Sequence, residues 1–405
     1  MQENRSNFSS QFLQAYKPKK IAMLGSMPPL RALSSYCLEL APAIADHCDV
    51  EFISFKKIYP SLLYPGGHLE DDNSFPLVKH PRLNIRRRLT WYNPATWISE
   101  GMLSGTELLH AQWWSPPLAL IYTVICLGFR LRKRPVIFTV HNVRPHENSI
   151  FYQIACSLLF KLADHFIVHS DLNKKQLITL YRIPPEKVAC IPHGPLNFHI
   201  EVGLDRDKIR ADLGLVPEDR VVLLFGAIRP YKGISTALKA FSKVISRIPN
   251  ARLLVAGKPW EDWKPHHRLI QNLGIGDYVK SFLKYIPSGE VYKFFEAADL
   301  VVLPYEHFDS QSGVGAAAIS FKRPMIVTDA GGLSDLVLDK RCVVPPEEPE
   351  ALAETIIQCL QDPERLERMS ADAGALAERM SWSFIAKRTV ELYSRVLAEP
   401  DIHRK

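Results

Sequence analysis

Short apolar, β-branched runs alternate along this chain with longer stretches whose apolar residues recur near every 3.6 positions, and the series occurs twice. In the first half the runs fall at 20–25, 50–54, 107–110, 136–141, 166–170 and 188–191. In the second they fall at 221–226, 253–256, 279–283, 300–304 and 325–328, separated by helical patterns such as 234–245 and 350–361. Strands apolar on both faces and separated by helices predict parallel sheets covered on each side. Two such series in tandem predict an α/β chain of two Rossmann-like, doubly wound domains. The join is expected near 195–205, where a Pro- and Gly-bearing segment follows a strand and precedes a charged helix at 206–213. The expected organisation is a polar tail at 1–18, a first domain at 19–198, a second at 199–381 and a closing helical segment at 382–405.

With 405 residues, each domain is long enough to bury its own core. The seven cysteines are scattered, form no CxxC pair and have no metal-ligand spacing with histidine, which predicts reduced thiols in a reducing compartment. The polar first twenty residues lack the apolar region of a signal peptide. The longest apolar stretch, 116–129, is too short to span a bilayer. The expected location is therefore cytoplasmic. Charge is uneven: residues 1–200 hold 22 Lys+Arg against 14 Asp+Glu, net +8, and the remainder 28 against 29, net −1. Two readings of the basic half stay open. One is peripheral contact with an anionic membrane, or with an acidic acceptor. The other is solvated loop charge flanking a buried helix. No nucleic-acid reader motif accompanies the charge.

In doubly wound folds, ligands bind beyond the carboxyl ends of the strands. Four places there carry candidate chemistry. Gly226-Ala-Ile-Arg229-Pro-Tyr-Lys232-Gly233 combines a glycine turn, two cations and a following helix start, which suits a diphosphate but also fits an ordinary capped loop. The segment Asp309, Ser310, Gln311, Ser312, Gly313 leads into a helix whose first N–H groups are free for phosphate oxygens. Gly331 and Gly332 form a further turn where backbone approaches a ligand closely. In the first half, His110 with Trp113 and Trp114, then His141, Asn142, Arg144, His146 and Glu147, form a polar and aromatic set suited to a sugar acceptor. No Ser-His-Asp order, zinc spacing or Walker loop appears.

At these residues the sequence resembles the retaining glycosyltransferases of family 4, of GT-B fold, over about 19–398. FGAIRPYKG resembles the family's donor loop, which implies Lys232 and Arg229 on the donor diphosphate. The run from VLPYEHFDSQSG to DAGG is similar to the segment carrying two glutamates, here Asp309 and Ala317. VHNVRPHE, HAQWW and IPHGP resemble a bacterial branch, and WSFIAKRTVELYSRVL resembles the helix that crosses back onto the first domain. Departures are Ala317, which removes the carboxylate the family places on the nucleotide ribose, Asp335 for a glutamate, and Ala32-Leu33 for a glycine pair.

The resemblance implies two domains facing a cleft and transfer of a sugar, with retention, from a nucleotide-diphosphate sugar to a hydroxyl of a sugar or lipid-linked saccharide. Polysaccharide or glycoconjugate assembly is the expected setting. Lys232, Arg229, His141 and Asp309 are the expected catalytic groups. The nucleotide sugar is a co-substrate, and neither cofactor nor metal is expected. The alternatives are a GT-B-fold nucleotide-sugar-binding or regulatory protein that has lost catalysis, and a GT-B epimerase or phosphorylase.

Overall fold

The computed structural model describes residues 16–31, 33–60, 71–144, 150–198, 205–308 and 311–399. The chain divides into two compact units. Unit 1 comprises residues 1–73, 77–193 and 382–405, and unit 2 comprises 74–76 and 194–381.

Unit 1 holds a sheet of seven strands: β1 Lys20–Gly25, β2 Asp49–Lys57, β3 Leu83–Thr90, β4 Leu109–Trp113, β5 Val136–Val140, β6 His165–Val168 and β7 Val188–Cys190. Their order is β3-β2-β1-β4-β5-β6-β7, and every pairing is parallel. Strands β4, β5 and β6 are buried along their whole length, as strands covered on both faces must be. Edge strand β3 differs, because its Arg86, Arg87 and Arg88 interrupt the apolar pattern. An edge strand pairs on one side only and tolerates such charge.

Helix Trp382–Ala398 follows unit 2 in sequence but belongs to unit 1, where it packs against helix Ser34–Ala45 and buries Trp382, Ile385, Leu392, Tyr393 and Val396.

Unit 2 holds six parallel strands: β8 Arg220–Phe225, β9 Ala251–Ala256, β10 Val279–Phe282, β11 Leu300–Leu303, β12 Met325–Thr328 and β13 Val343–Val344. Their order is β10-β9-β8-β11-β12-β13. The chain leaves β8 toward β9 and β10, then returns to the other side of β8 as β11. The loops after β8 and β11 therefore depart in opposite senses and leave a crevice at their carboxyl ends. Helix Ile234–Arg247 covers one face with Ile234, Leu238, Phe241 and Val244, the 3.6-residue stripe expected of it. The segment just after residue 193 joins this unit, with the Leu196 N–H donating to the Ala316 carbonyl at 3.3 Å. Residues 74–76 join it as well, Ser74 Oγ accepting from the Gly289 N–H at 2.9 Å.

All seven cysteines are free thiols. Among the described residues, no helix is long and apolar enough to cross a membrane.

Candidate active site

In unit 2, the candidate residues gather at the β8/β11 crevice. Gly226 follows β8 in the left-handed region, with φ +96°. The chain then turns through Arg229 into the 3-10 turn Pro230–Lys232, and Gly233 starts the following helix. Gly233 has φ +67°, and a Cβ there would lie 1.8 Å from the Pro304 carbonyl oxygen, so the two loops meet at a position only glycine can fill. Their contact is fastened twice more. The Glu306 N–H donates to the Tyr231 carbonyl at 2.8 Å, and Tyr231 packs on Tyr305 and Phe308 with centroids 5.6 and 5.7 Å apart.

That convergence buries Lys232 to 6 % exposure. Its ammonium donates to Tyr305 Oη at 2.5 Å and lies 4.3 Å from the centroid of the same ring. Tyr305 Oη is in turn 3.2 Å from Ser312 Oγ. Ser312 caps helix Gly313–Ser320, accepting the Gly315 N–H at 3.2 Å. A protonated Lys232 has only hydrogens to give, so it donates to Tyr305 Oη, whose own O–H is then available to Ser312 Oγ.

Burial pulls the Lys232 pKa down to about 8, with the Arg229 charge adding to the effect, while burial pushes the Tyr305 phenol up and keeps it a donor. Arg229 lies half-buried with its guanidinium 3.9 Å from the centroid of the Trp260 ring, which holds it by cation–π attraction. A buried cation, a stacked guanidinium and a capped helix start share one crevice, an arrangement suited to receiving a diphosphate.

Of the other expected donor groups, Gln311 is half-buried and Gly313 exposed at that helix start, whereas Asp309 and Ser310 lie outside the described residues. Gly331 and Gly332 follow β12, Gly331 with φ +60°, and lead into the short 3-10 turn Leu333–Leu336. Ala317 is buried in the core, leaving no polar side chain at that position.

In unit 1 the structure separates the acceptor candidates. His110 is fully buried on β4, its Nδ1 2.5 Å from Tyr393 Oη and its Nε2 2.7 Å from Thr139 Oγ1. Trp113 is likewise enclosed, between Tyr122 and Phe160. Both expectations of acceptor contact are therefore corrected, because side chains inside the sheet's core reach no ligand. The β4 strand continues to Trp113 rather than ending at residue 110, and that carries the first tryptophan inward. Trp114 stays half-buried. Asn142 uses its amide on the Trp114 carbonyl at 3.0 Å. Arg144 is exposed, while His146 and Glu147 lie outside the described residues.

His141, one residue past β5, instead joins a group that the motif reading missed. His169 lies one residue past β6, with its Nε2 3.2 Å from His141 Nδ1. Tyr36 packs edge-on against His141 at 4.6 Å and lies 4.9 Å from the His193 ring and 5.2 Å from Trp382. The recurrence of histidine just past consecutive strands was the available signal.

Gln112 lies between His110 and His141, at 3.1 and 3.0 Å. The amide stands with its Nε2 toward His110 and its Oε1 toward His141; turned over, it makes these rings neutral, since His141 Nδ1–H then donates to His169 Nε2 and His169 Nδ1–H to the Ile191 carbonyl at 2.9 Å. The first orientation demands a charged His169. Burial opposes that, holding His169 at about 3 and His141 well below its usual value.

The model of "Glycosyltransferase Family 4" matches residues 33–194, and that of "Glycosyl transferases group 1" matches 205–375. A D-inositol 3-phosphate glycosyltransferase of Thermobispora bispora is 25 % identical over 402 residues, covering 92 % of this chain and 91 % of that one. D-inositol 3-phosphate glycosyltransferase 2 of Catenulispora acidiphila is 30 % identical over 247 residues, 58 % of this chain and 57 % of that one. Among solved structures, Anabaena HepE in complex with UDP and glucose matches with TM-score 0.71 at 19 % identity, over 93 % of this chain and 100 % of that one. Sucrose-phosphate synthase of Thermosynechococcus elongatus matches with TM-score 0.70 at 20 % identity, over 94 % and 99 %.

Proposed function

Because the chain belongs to the family 4 glycosyltransferases and has their GT-B fold, we propose that it moves a sugar from a uridine-diphosphate donor to a hydroxyl acceptor with retention at the anomeric carbon. Glycosyl transfer from a nucleotide sugar follows from the family; the base, the stereochemistry and the acceptor are our reading. UDP is favoured by HepE, whose structures hold UDP and UDP-glucose. The observation that carries the site is Lys232, a buried cation held by Tyr305 beside the capped helix start.

In the proposed reaction, the bond between the anomeric carbon and the diphosphate oxygen breaks, and the acceptor oxygen bonds to that carbon on the same face. The acceptor's proton passes to the departing diphosphate. Lys232, Arg229 and the N–H groups after Ser312 meet the charge that develops there, and Asp309 orients sugar hydroxyls. Gly226, Ser310, Gln311, Gly313, Gly331 and Gly332 bring backbone close to the donor. His141 holds the acceptor or the transferred sugar once a ring nitrogen exchanges its Gln112 or His169 partner for a sugar hydroxyl, aided by Trp114, Asn142, Arg144, His146 and Glu147. These cations meet the diphosphate charge, so the reading needs no metal.

The acceptor is a sugar or lipid-linked saccharide in polysaccharide or glycoconjugate assembly, and the enzyme works at the inner face of the cytoplasmic membrane. The test is a panel of nucleotide sugars assayed by slow donor hydrolysis and by transfer to saccharide, lipid-linked and inositol phosphate acceptors. Lys232→Ala is expected to lower turnover about 10²–10³-fold, the usual cost of one charge-stabilising donor. Unchanged turnover in that variant would sink the site assignment.

A further inference from the structure

Three helices of unit 1 form one layer: Pro94–Leu103, Ala119–Leu131 and Ile150–Phe160. The first packs on the second and the second on the third. The first contact is close, since a Cβ on Gly128 would lie 2.6 Å from the Gly101 carbonyl carbon. Surface helices ordinarily carry charge on their outer side. These three hold only two charged residues among them, and both are paired. Glu100 is buried against Arg86 at 3.2 Å, and Arg130 bonds Asp164 at 2.6 Å. Gln153 is the one exposed polar side chain among the described positions of these helices, and Ile98, Leu120, Leu127, Leu131, Ile154 and Leu158 are exposed with it, Leu131 by 75 %. By contrast, helix Trp382–Ala398 shows Lys387, Arg388, Glu391 and Arg395 to solvent.

An apolar face of this extent on a folded unit marks a surface that something covers. Its border is basic. Residues 83–164 hold nine lysines and arginines against four acids, and exposed Lys133, Arg134 and Lys161 follow the ends of the second and third helices.

We propose that this face rests on an anionic lipid bilayer, with the six apolar side chains in the headgroup–acyl boundary and the basic border against lipid phosphates. Helices lying in the interface bury their apolar side roughly 5–10 Å deep and gain from cations beside anionic lipid. A second copy of the chain is the poorer occupant, because a self-complementary contact sets like-charged borders against each other. The inference rests on the membrane location of the reading above, not on its donor site.

The test is flotation of the full chain with phosphatidylcholine vesicles, with and without 30 % phosphatidylglycerol (roughly the anionic content that sets such surface potentials). Wild-type protein is expected to float with the anionic vesicles and to be released by high salt. The double variant Leu127→Glu, Leu131→Glu is expected to lose at least about tenfold in partitioning, since burying two charges costs well over 1.4 kcal/mol. Lys133→Ala with Arg134→Ala should weaken binding to anionic vesicles only. Lipid-free donor hydrolysis should be unchanged in both variants, so a failure here leaves the transfer reading standing. The proposal is overturned if wild type does not float, or if the Leu127/Leu131 variant floats equally. It is also overturned if the face supports a concentration-dependent dimer, lost in that variant, without vesicle binding.

Discussion

At the residue scale, the donor crevice turns on one proton. Lys232 has its pKa lowered from 10.5 to about 8 by burial, so the free enzyme loses this cation as pH rises through about 8. A diphosphate binds the charged form, and donor affinity should therefore be flat below about pH 7 and fall above 8, approaching tenfold per unit. Folding stability has the opposite sign. Between about 8 and 10.5 the unfolded chain binds more protons than the folded one, so stability rises with pH across that window. Titration calorimetry with UDP from pH 6.5 to 9.5 reads the first effect, and a flat profile would remove Lys232 from the diphosphate.

Tyr305→Phe leaves that ammonium without its hydrogen-bond partner, at a cost of about 1–3 kcal/mol of folding stability, which urea denaturation of the variant reads. Lys232 and Arg229 were legible as cations between glycines. Their supports were not, because Tyr305 and Trp260 lie in separate loops that meet only once the strands are ordered.

At the element scale, most strands were readable from apolar runs, β1 and β12 to the residue. β3 was missed because three successive arginines obscure its pattern, and β13 because two residues carry no periodicity. The meeting of the loops after β8 and β11 yields a controlled test. Gly233 and Gly274 share φ +67°, but a Cβ on Gly233 strikes the Pro304 carbonyl, whereas one on Gly274 meets nothing within 4 Å. Gly274→Ala should cost about 1–2 kcal/mol, the left-handed penalty alone. Gly233→Ala should cost clearly more and reduce donor binding as well. Urea denaturation of the two variants compares them directly, and equal losses would mean that the loop contact has no rigidity.

On the whole-molecule scale, the tandem arrangement of parallel sheets was legible, whereas the ownership of the last helix came only from resemblance. Trp382, Ile385, Leu392, Tyr393 and Val396 together bury apolar surface in unit 1 that stabilises by roughly 10 kcal/mol, at about 1.5–3 per side chain. A domain's net stability is of that size. Removing residues 382–405 should therefore unfold unit 1 and leave unit 2 protected, which hydrogen exchange with peptide-level mass analysis would show. Retained protection across β4 and β5 would contradict this.

The same helix sets an order of events during synthesis. His110, at the middle of the sheet in unit 1, has Tyr393 as a partner 283 positions later in the chain. While the ribosome is still adding residues, the first unit lacks its final layer, whereas nearly all of the second is contiguous and can complete itself on emergence. The nascent N-terminal sheet must therefore wait with an open apolar flank, in need of shelter, until residues 382–398 emerge.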